Sequence, residues 1–132
     1  MKIKRNVPLV CTDKIEAQKA FYCEHFDFRP TFDSAEFLGL ISQNGNCEIS
    51  FMTPTSEDVQ FQSNANIAFC LEVDDVDEEH ARLTADGVEF VQPPQDNPWG
   101  DRSAIAVDPS GIKVYIYKMI QPSQVYAKYF RE

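Results

Sequence analysis

The stretch Ile67-Ala68-Phe69-Cys70-Leu71-Glu72-Val73-Asp74-Asp75-Val76-Asp77-Glu78 restates a phrase already spelled by Val7 to Glu16. In the later copy Ile67, Phe69, Leu71 and Val73 recur at the period of a strand, and Asp75 with Glu78 three places on forms a capping box. Val76, His80 and Leu83 then fall on one helical face that runs to Gly87. In the earlier copy Val7 to Cys11 reads as the strand. Asp13 is expected to cap the helix, with Glu16 three places on and Ala17, Ala20 and Phe21 at helical spacing. Extended segments follow each helix: Phe28 to Phe32, Glu36 to Ile41 and Cys47 to Met52 in the first half, and Val88 to Val91, Ser103 to Val107 and Lys113 to Tyr117 in the second. Each half is therefore β-α-β-β-β. The fold class is α+β, with two tandem βαβββ modules forming a curved mixed sheet around a cleft.

The halves run over about residues 6–53 and 66–118 of a single domain, joined by the polar stretch Thr53 to Asn66, which reads as a surface connection. Residues 119–132 form a C-terminal extension in which Ser123 caps a third helix, with Val125, Tyr126, Tyr129 and Phe130 as its apolar face. Asp108-Pro109-Ser110-Gly111 has Asp, Pro and Gly at the first, second and fourth places of a type I turn, so the last two strands form a hairpin. Just before that hairpin, the sole Trp stands between Pro98 and Gly100, in a loop suited to the lip of a binding cleft.

Composition bounds the function. A chain of 132 residues, 43% hydrophobic, buries about two-thirds of its unfolded surface as one domain and needs no staple. Cys11, Cys23, Cys47 and Cys70 are far apart with no Cys-x-x-Cys pair, and there is no long apolar run, so a reduced cytoplasmic protein without a membrane partner is expected. The formal charge of −9 repels nucleic acid and would attract a cationic small molecule, although acidity alone mostly signals solubility. There is no Ser/His/Asp set, phosphate-cradling Gly loop or basic stripe. Strand parity separates the core from the cleft. Opposite Ile49 and Phe51 lies Ser50; opposite Phe69, Leu71 and Val73 lie Ala68 and Cys70; opposite Val114 and Ile116 lies Tyr115.

Several pieces in this order resemble the vicinal oxygen chelate superfamily, the glyoxalase, bleomycin-resistance and extradiol dioxygenase group. They are Val7-Pro8-Leu9-Val10 with Asp13, Phe21-Tyr22 with Phe26 and Phe28, Val73-Asp74-Asp75-Val76-Asp77 with Gly87-Val88, Trp99-Gly100 with Arg102, and Asp108-Pro109-Ser110-Gly111. The resemblance spans about residues 6–118. It departs at Asp27, where the family has Gly after the first helix; Asp tolerates the left-handed conformation better than most residues.

The resemblance implies that metalloenzymes of the group take His, Glu or Gln ligands from the first and last strand of each half. Those places fall here on about Asn6, Ser50, Ala68 and Tyr115, none of them a His or a carboxylate. No metal and no cofactor are expected; Glu48 and Glu72 are the nearest carboxylates should the register slip. His25 and His80 lie on the helices, where His80 reads as a core-edge residue in line with Val76 and Leu83.

The branch most similar is the bleomycin-resistance type, whose homodimers hold a cationic aromatic antibiotic between aromatic rings. The resemblance puts the ring positions on Phe32, Phe37 and Trp99, with another near Cys70. Phe32 and Phe37 either line the cleft or fill the core, and Trp99 serves the cleft or a dimer seam. Arg102 either clamps an anionic ligand or pairs with an Asp or Glu. The ligand-binding set is thus Phe32, Phe37, Ser50, Cys70, Trp99, Arg102 and Tyr115. The reading is a metal-independent binding protein for a small molecule, a homodimer conferring antibiotic or toxin tolerance by sequestration. The alternative is a glyoxalase-like lyase or dioxygenase with an unusual metal site or none.

Overall fold

Each copy of the repeated phrase folds as a strand, a helix and an antiparallel meander whose last strand returns beside the first. A computed structural model describes residues 1–54, 64 and 66–131; most of the expected surface connection, residues 55–63 and 65, lies outside them. The chain divides into two compact units, residues 1–63 and 64–132. The first contains β1 (Leu9–Cys11), α1 (Ile15–His25), β2 (Phe28–Asp33), β3 (Phe37–Ser42) and β4 (Glu48–Met52). The second contains β5 (Ala68–Glu72), α2 (Val76–Ala85), β6 (Phe90–Asn97), β7 (Asp101–Val107), β8 (Lys113–Met119) and α3 (Gln124–Ala127). Two four-stranded mixed sheets result, ordered β1-β4-β3-β2 and β5-β8-β7-β6. β1 pairs β4 and β5 pairs β8 in parallel, and the other pairs are antiparallel. The expected α+β class and tandem βαβββ order hold.

In the first unit, Val10, Leu38, Leu40, Ile49 and Phe51 are buried on the helix side of the sheet. The helix face that meets them is not the expected one. Ile15, Gln18 and Tyr22 are buried, whereas Ala17 and Ala20 are exposed and Phe21 is half-buried. Tyr22 decides the rotation: its ring stacks on Phe51 at 5.7 Å and meets Phe28 edge-on at 5.7 Å, an apolar area that two alanines cannot match. Asp13 is also not the cap. Lys14 holds that position, and the Thr12 hydroxyl accepts from the Lys14 N–H at 3.1 Å. Asp27 follows the helix at φ 56°, the left-handed conformation expected where the family has Gly.

In the second unit the capping signals read correctly. Asp75 accepts from the Glu78 N–H at 3.0 Å. At the other end of α2, Gly87 (φ 88°) donates to Thr84 O, and Val88 to Leu83 O, the paired bonds of a Schellman motif. Val76 and Leu83 are buried, and His80 packs edge-on against Phe90 at 4.6 Å, at the edge of the core as expected. The 108–111 turn forms as well: Gly111 donates to Asp108 O, and the Asp108 carboxylate accepts from the Ser110 and Ile112 N–H groups, both at 2.9 Å. β6 runs on to Asn97 rather than stopping near Val91, through Pro93 and Pro94, because it is a sheet edge with irregular register, where missing N–H groups are tolerated. α3 is a single turn with Ser123 at its N-cap, and it buries no residue.

Candidate functional site

The face of each sheet turned away from its helix is where the candidate residues collect, and the two faces differ in chemistry. In the first unit Leu9, Ser50 and Gly39 stand in register across β1, β4 and β3, with Phe37 two residues from Gly39 and Phe32 paired to Gly39 from β2. A bulge between Pro30 and Phe32 turns the Phe32 ring onto this face. Phe32 and Phe37 meet edge-to-face at 5.5 Å, and Phe32 remains 58% exposed. The pair is therefore not core. Gly39 makes the approach possible, since a Cβ there would lie 2.8 Å from Thr31 Oγ1 and 3.5 Å from the Phe32 Cβ. Ser50 is only 5% exposed, and its hydroxyl is occupied, donating to Pro8 O at 2.6 Å. This face is apolar around the two rings, with one spent hydroxyl, and carries Glu48, which accepts from Arg5 at 3.3 Å, and Arg29 at its far end.

The corresponding face of the second unit is a hydrogen-bonding surface. Cys70 and Tyr115 are register partners, as are Glu72 and Tyr117, and Ser103 stands opposite Tyr117 from β7. Cys70 is exposed and Tyr115 half-buried. Partial burial, with the nearby Glu72, Cys70 and Asp101, holds the Tyr117 phenol above the ordinary tyrosine range. It is a neutral hydroxyl at physiological pH.

Beside it runs a network that the sequence reading did not anticipate. Asn97, 5% exposed, donates to Asp101 Oδ1 at 2.7 Å and to Ser103 Oγ at 2.9 Å, and accepts from Gln95 at 2.9 Å. Gln92 donates to the Ser103 carbonyl at 3.3 Å. The other Asp101 oxygen accepts from the Trp99 indole N–H at 3.0 Å. A usable signal was the parity of β7, where Asp101 and Ser103 alternate with Arg102 and Ala104. The β6 partners were hidden by the prolines.

Arg102 is not brought to this face. It points to the α2 side, where its guanidinium donates to both Asp77 oxygens at 2.7 and 2.8 Å and to Asp96 at 3.0 Å. Those partners hold its pKa above the ordinary arginine value, and the same contact holds the Asp77 carboxyl below the ordinary carboxylate range. Of the two roles weighed for Arg102, pairing is the one seen. Trp99 sits in the β6–β7 loop, 49% exposed, with its ring edge-on to Tyr126 at 6.4 Å.

The metal places read from the sequence can now be judged by their donors. Ala68 has none, the Ser50 hydroxyl is committed to a carbonyl, and Asn6 and Tyr115 offer a neutral amide and a phenol. Among the described residues no three of His, Cys, Asp or Glu come together as a metal-binding group. The donor set does not fit a divalent transition metal.

A family model described as the Glyoxalase/Bleomycin resistance protein/Dioxygenase superfamily matches residues 4–116. The chain belongs to this superfamily. Solved structures of similar fold include a glyoxalase/bleomycin resistance protein/dioxygenase from Nocardioides, with TM-score 0.72, 19% identity, and coverage of 91% of this chain and 87% of that one. A second is the bleomycin resistance determinant encoded on transposon Tn5, with TM-score 0.67, 21% identity, and coverage of 89% and 98%. A third is TnmS3, an antibiotic binding protein from Streptomyces sp. CB03234, with TM-score 0.70, 24% identity, and coverage of 90% and 98%. No curated protein matches. At these identities the likeness is one of fold, so this member's chemistry rests on its own residues.

Proposed function

We propose that this superfamily member is a metal-independent binding protein for a planar aromatic small molecule carrying positive charge, acting by sequestration, as a homodimer in the cytoplasm. The observation that carries the reading is the Phe32–Phe37 pair, whose outer ring is left in solvent on a face with no other evident purpose for it. Stacking on such rings contributes about 1 kcal/mol per pair beyond area burial. Cys70, Tyr115 and Ser50 are the further proposed contacts; Trp99, whose ring meets Tyr126, and Arg102, which pairs with Asp77 and Asp96 on the α2 side, are not among them. The net charge of −9 favours a cation, and Glu72 and Asp101 supply carboxylates on the open face of the second unit. Antibiotic-binding and bleomycin-resistance proteins among the structures of similar fold support the ligand class. The exposed Leu9 on edge strand β1 supports a partner copy, since an unpaired edge invites pairing. No helix among the described residues is long and apolar enough to cross a membrane.

A second reading, an enzyme, has one observation in its favour: Glu72 and Tyr117 are register partners, a carboxylate and a neutral phenol side by side on one face. Calorimetric titration with metal-free bleomycin and other cationic polycyclic compounds tests the binding reading, which predicts saturable binding weakened at least fivefold by Phe37→Ala. Absence of binding across the panel, together with turnover abolished by Tyr117→Phe, would favour the enzyme.

A further inference from the structure

We propose that the C-terminal extension and the Trp99 loop form a second small-molecule site, separate from the Phe32–Phe37 face, that takes a planar aromatic compound bearing an anionic group. Trp99, Tyr126, Tyr129, Phe130 and Arg131 line an open groove of about 420 Å3 within the second unit. That volume suits a two- or three-ring compound.

The groove is a built feature. Ile120 donates to Gly100 O at 2.9 Å and Ser123 to Pro98 O at 2.8 Å, which ties the extension to the Trp99 loop at two points. Gly100, at φ 114°, admits it; a Cβ there would stand 3.0 Å from the Pro122 Cβ and 3.2 Å from the Phe130 Cζ. Tyr126 meets Trp99 at 76° and Tyr129 at 62°, both at 6.4 Å, so the rings turn faces and edges into one space. Yet Tyr129 is 62% exposed and Phe130 49% exposed, a large aromatic area left in water on a segment whose helix buries nothing.

Charge selects the ligand. Arg131 is the one charged residue in the lining, and its guanidinium is fixed there by donating to the Lys128 and Phe130 carbonyls at 2.8 and 2.9 Å. The Lys128 ammonium stands 5.1 Å from the Tyr129 ring centre, adding a second cation at the rim. The Asp101 carboxylate is turned to the Trp99 N–H edge and to Asn97, and is not among the lining residues. The Arg131 guanidinium is suited to a carboxylate or sulfonate on an aromatic ring.

The test titrates the full-length protein with 2-naphthoate, 2-naphthalenemethanol and 2-naphthylmethylammonium, following the sole Trp by fluorescence and the heat by calorimetry. Expected are quenching of Trp99 by the naphthoate, at least fivefold preference for the naphthoate over the ammonium when read in Phe37→Ala, and at least fivefold loss of naphthoate affinity in Tyr129→Ala and in Arg131→Gln. Arg131→Lys should recover part of it, and Phe37→Ala should change nothing, which separates this site from the one proposed above. Because Tyr129 is exposed, its variant should keep the parent's melting temperature. No naphthoate binding up to millimolar concentration, preference for the ammonium in Phe37→Ala, where the cationic site is weakened, or unchanged naphthoate affinity in Tyr129→Ala would overturn the proposal. A shift from dimer to monomer in Tyr129→Ala by light scattering would also overturn it, since the rings would then be a seam between copies.

Discussion

The Trp99 indole N–H donates to Asp101 Oδ2 at 3.0 Å while the other Asp101 oxygen accepts from buried Asn97, so one carboxylate fixes the loop ring to the sheet. Aromatic sites gain affinity when the ring is held before the ligand arrives. Asp101→Ala should leave the fold intact, broaden the Trp99 emission, and destabilise by about 1 kcal/mol, since Trp99 can turn to water. Asn97→Ala should cost more, about 2 kcal/mol, because Asn97 is buried and its loss removes a bond to each of Gln95, Asp101 and the buried Ser103. Urea unfolding of both variants checks the order.

The first helix supplies a second prediction. Tyr22→Ala removes a fully buried ring between Phe28 and Phe51 and should cost about 3–5 kcal/mol, while Ala17→Ser and Ala20→Ser, on exposed positions, should stay within about 0.5 kcal/mol. Equal costs would mean that the helix packs on the other face.

A third concerns pH. Asp77 has its folded pKa held below the ordinary value by Arg102, so the folded state favours the carboxylate. The contact therefore stabilises above the unfolded carboxylate pKa and is lost as pH falls through the folded one. Asp77→Asn should lower the melting temperature at pH 7, and the difference from the parent should shrink as the pH is lowered through the acidic range. A pH-independent difference would mean that the contact contributes through packing alone.

These cases show what the sequence made legible. Capping at Asp75, the Schellman end at Gly87, the 108–111 turn and the left-handed Asp27 are local devices, and local devices can be read from a few residues. The face of α1 could not be read that way, because Tyr22 wins its place through Phe51, a residue of a strand far along the chain. β6 reads from sequence as ending near Val91 because Pro93 and Pro94 mark a loop unless the strand is known to be an edge. The Phe32–Phe37 pair was named as a candidate, but only the bulge before Phe32 and the bare Gly39 put it on an open face. Arg102 had two readings until its partner on another element was placed.

Asp27 supplies a fourth prediction. Asp27→Gly should change stability by less than about 0.5 kcal/mol, relief of the left-handed strain offsetting the looser unfolded chain, while Asp27→Val should cost about 1–2 kcal/mol. Thermal unfolding of the pair decides whether the backbone or the side chain matters at this position.

The most direct test of a metal-independent binding function is one titration performed twice. Protein dialysed against chelator and protein as purified, both assayed for metal by mass spectrometry, would be titrated calorimetrically with the tightest cationic aromatic found. The account predicts well under one equivalent of Zn, Ni, Fe or Mn in either sample and the same dissociation constant in both, with ligand at a hundredfold excess over that constant stabilising the fold by about 2.7 kcal/mol. Stoichiometric metal whose removal abolishes binding or a measured turnover would contradict it.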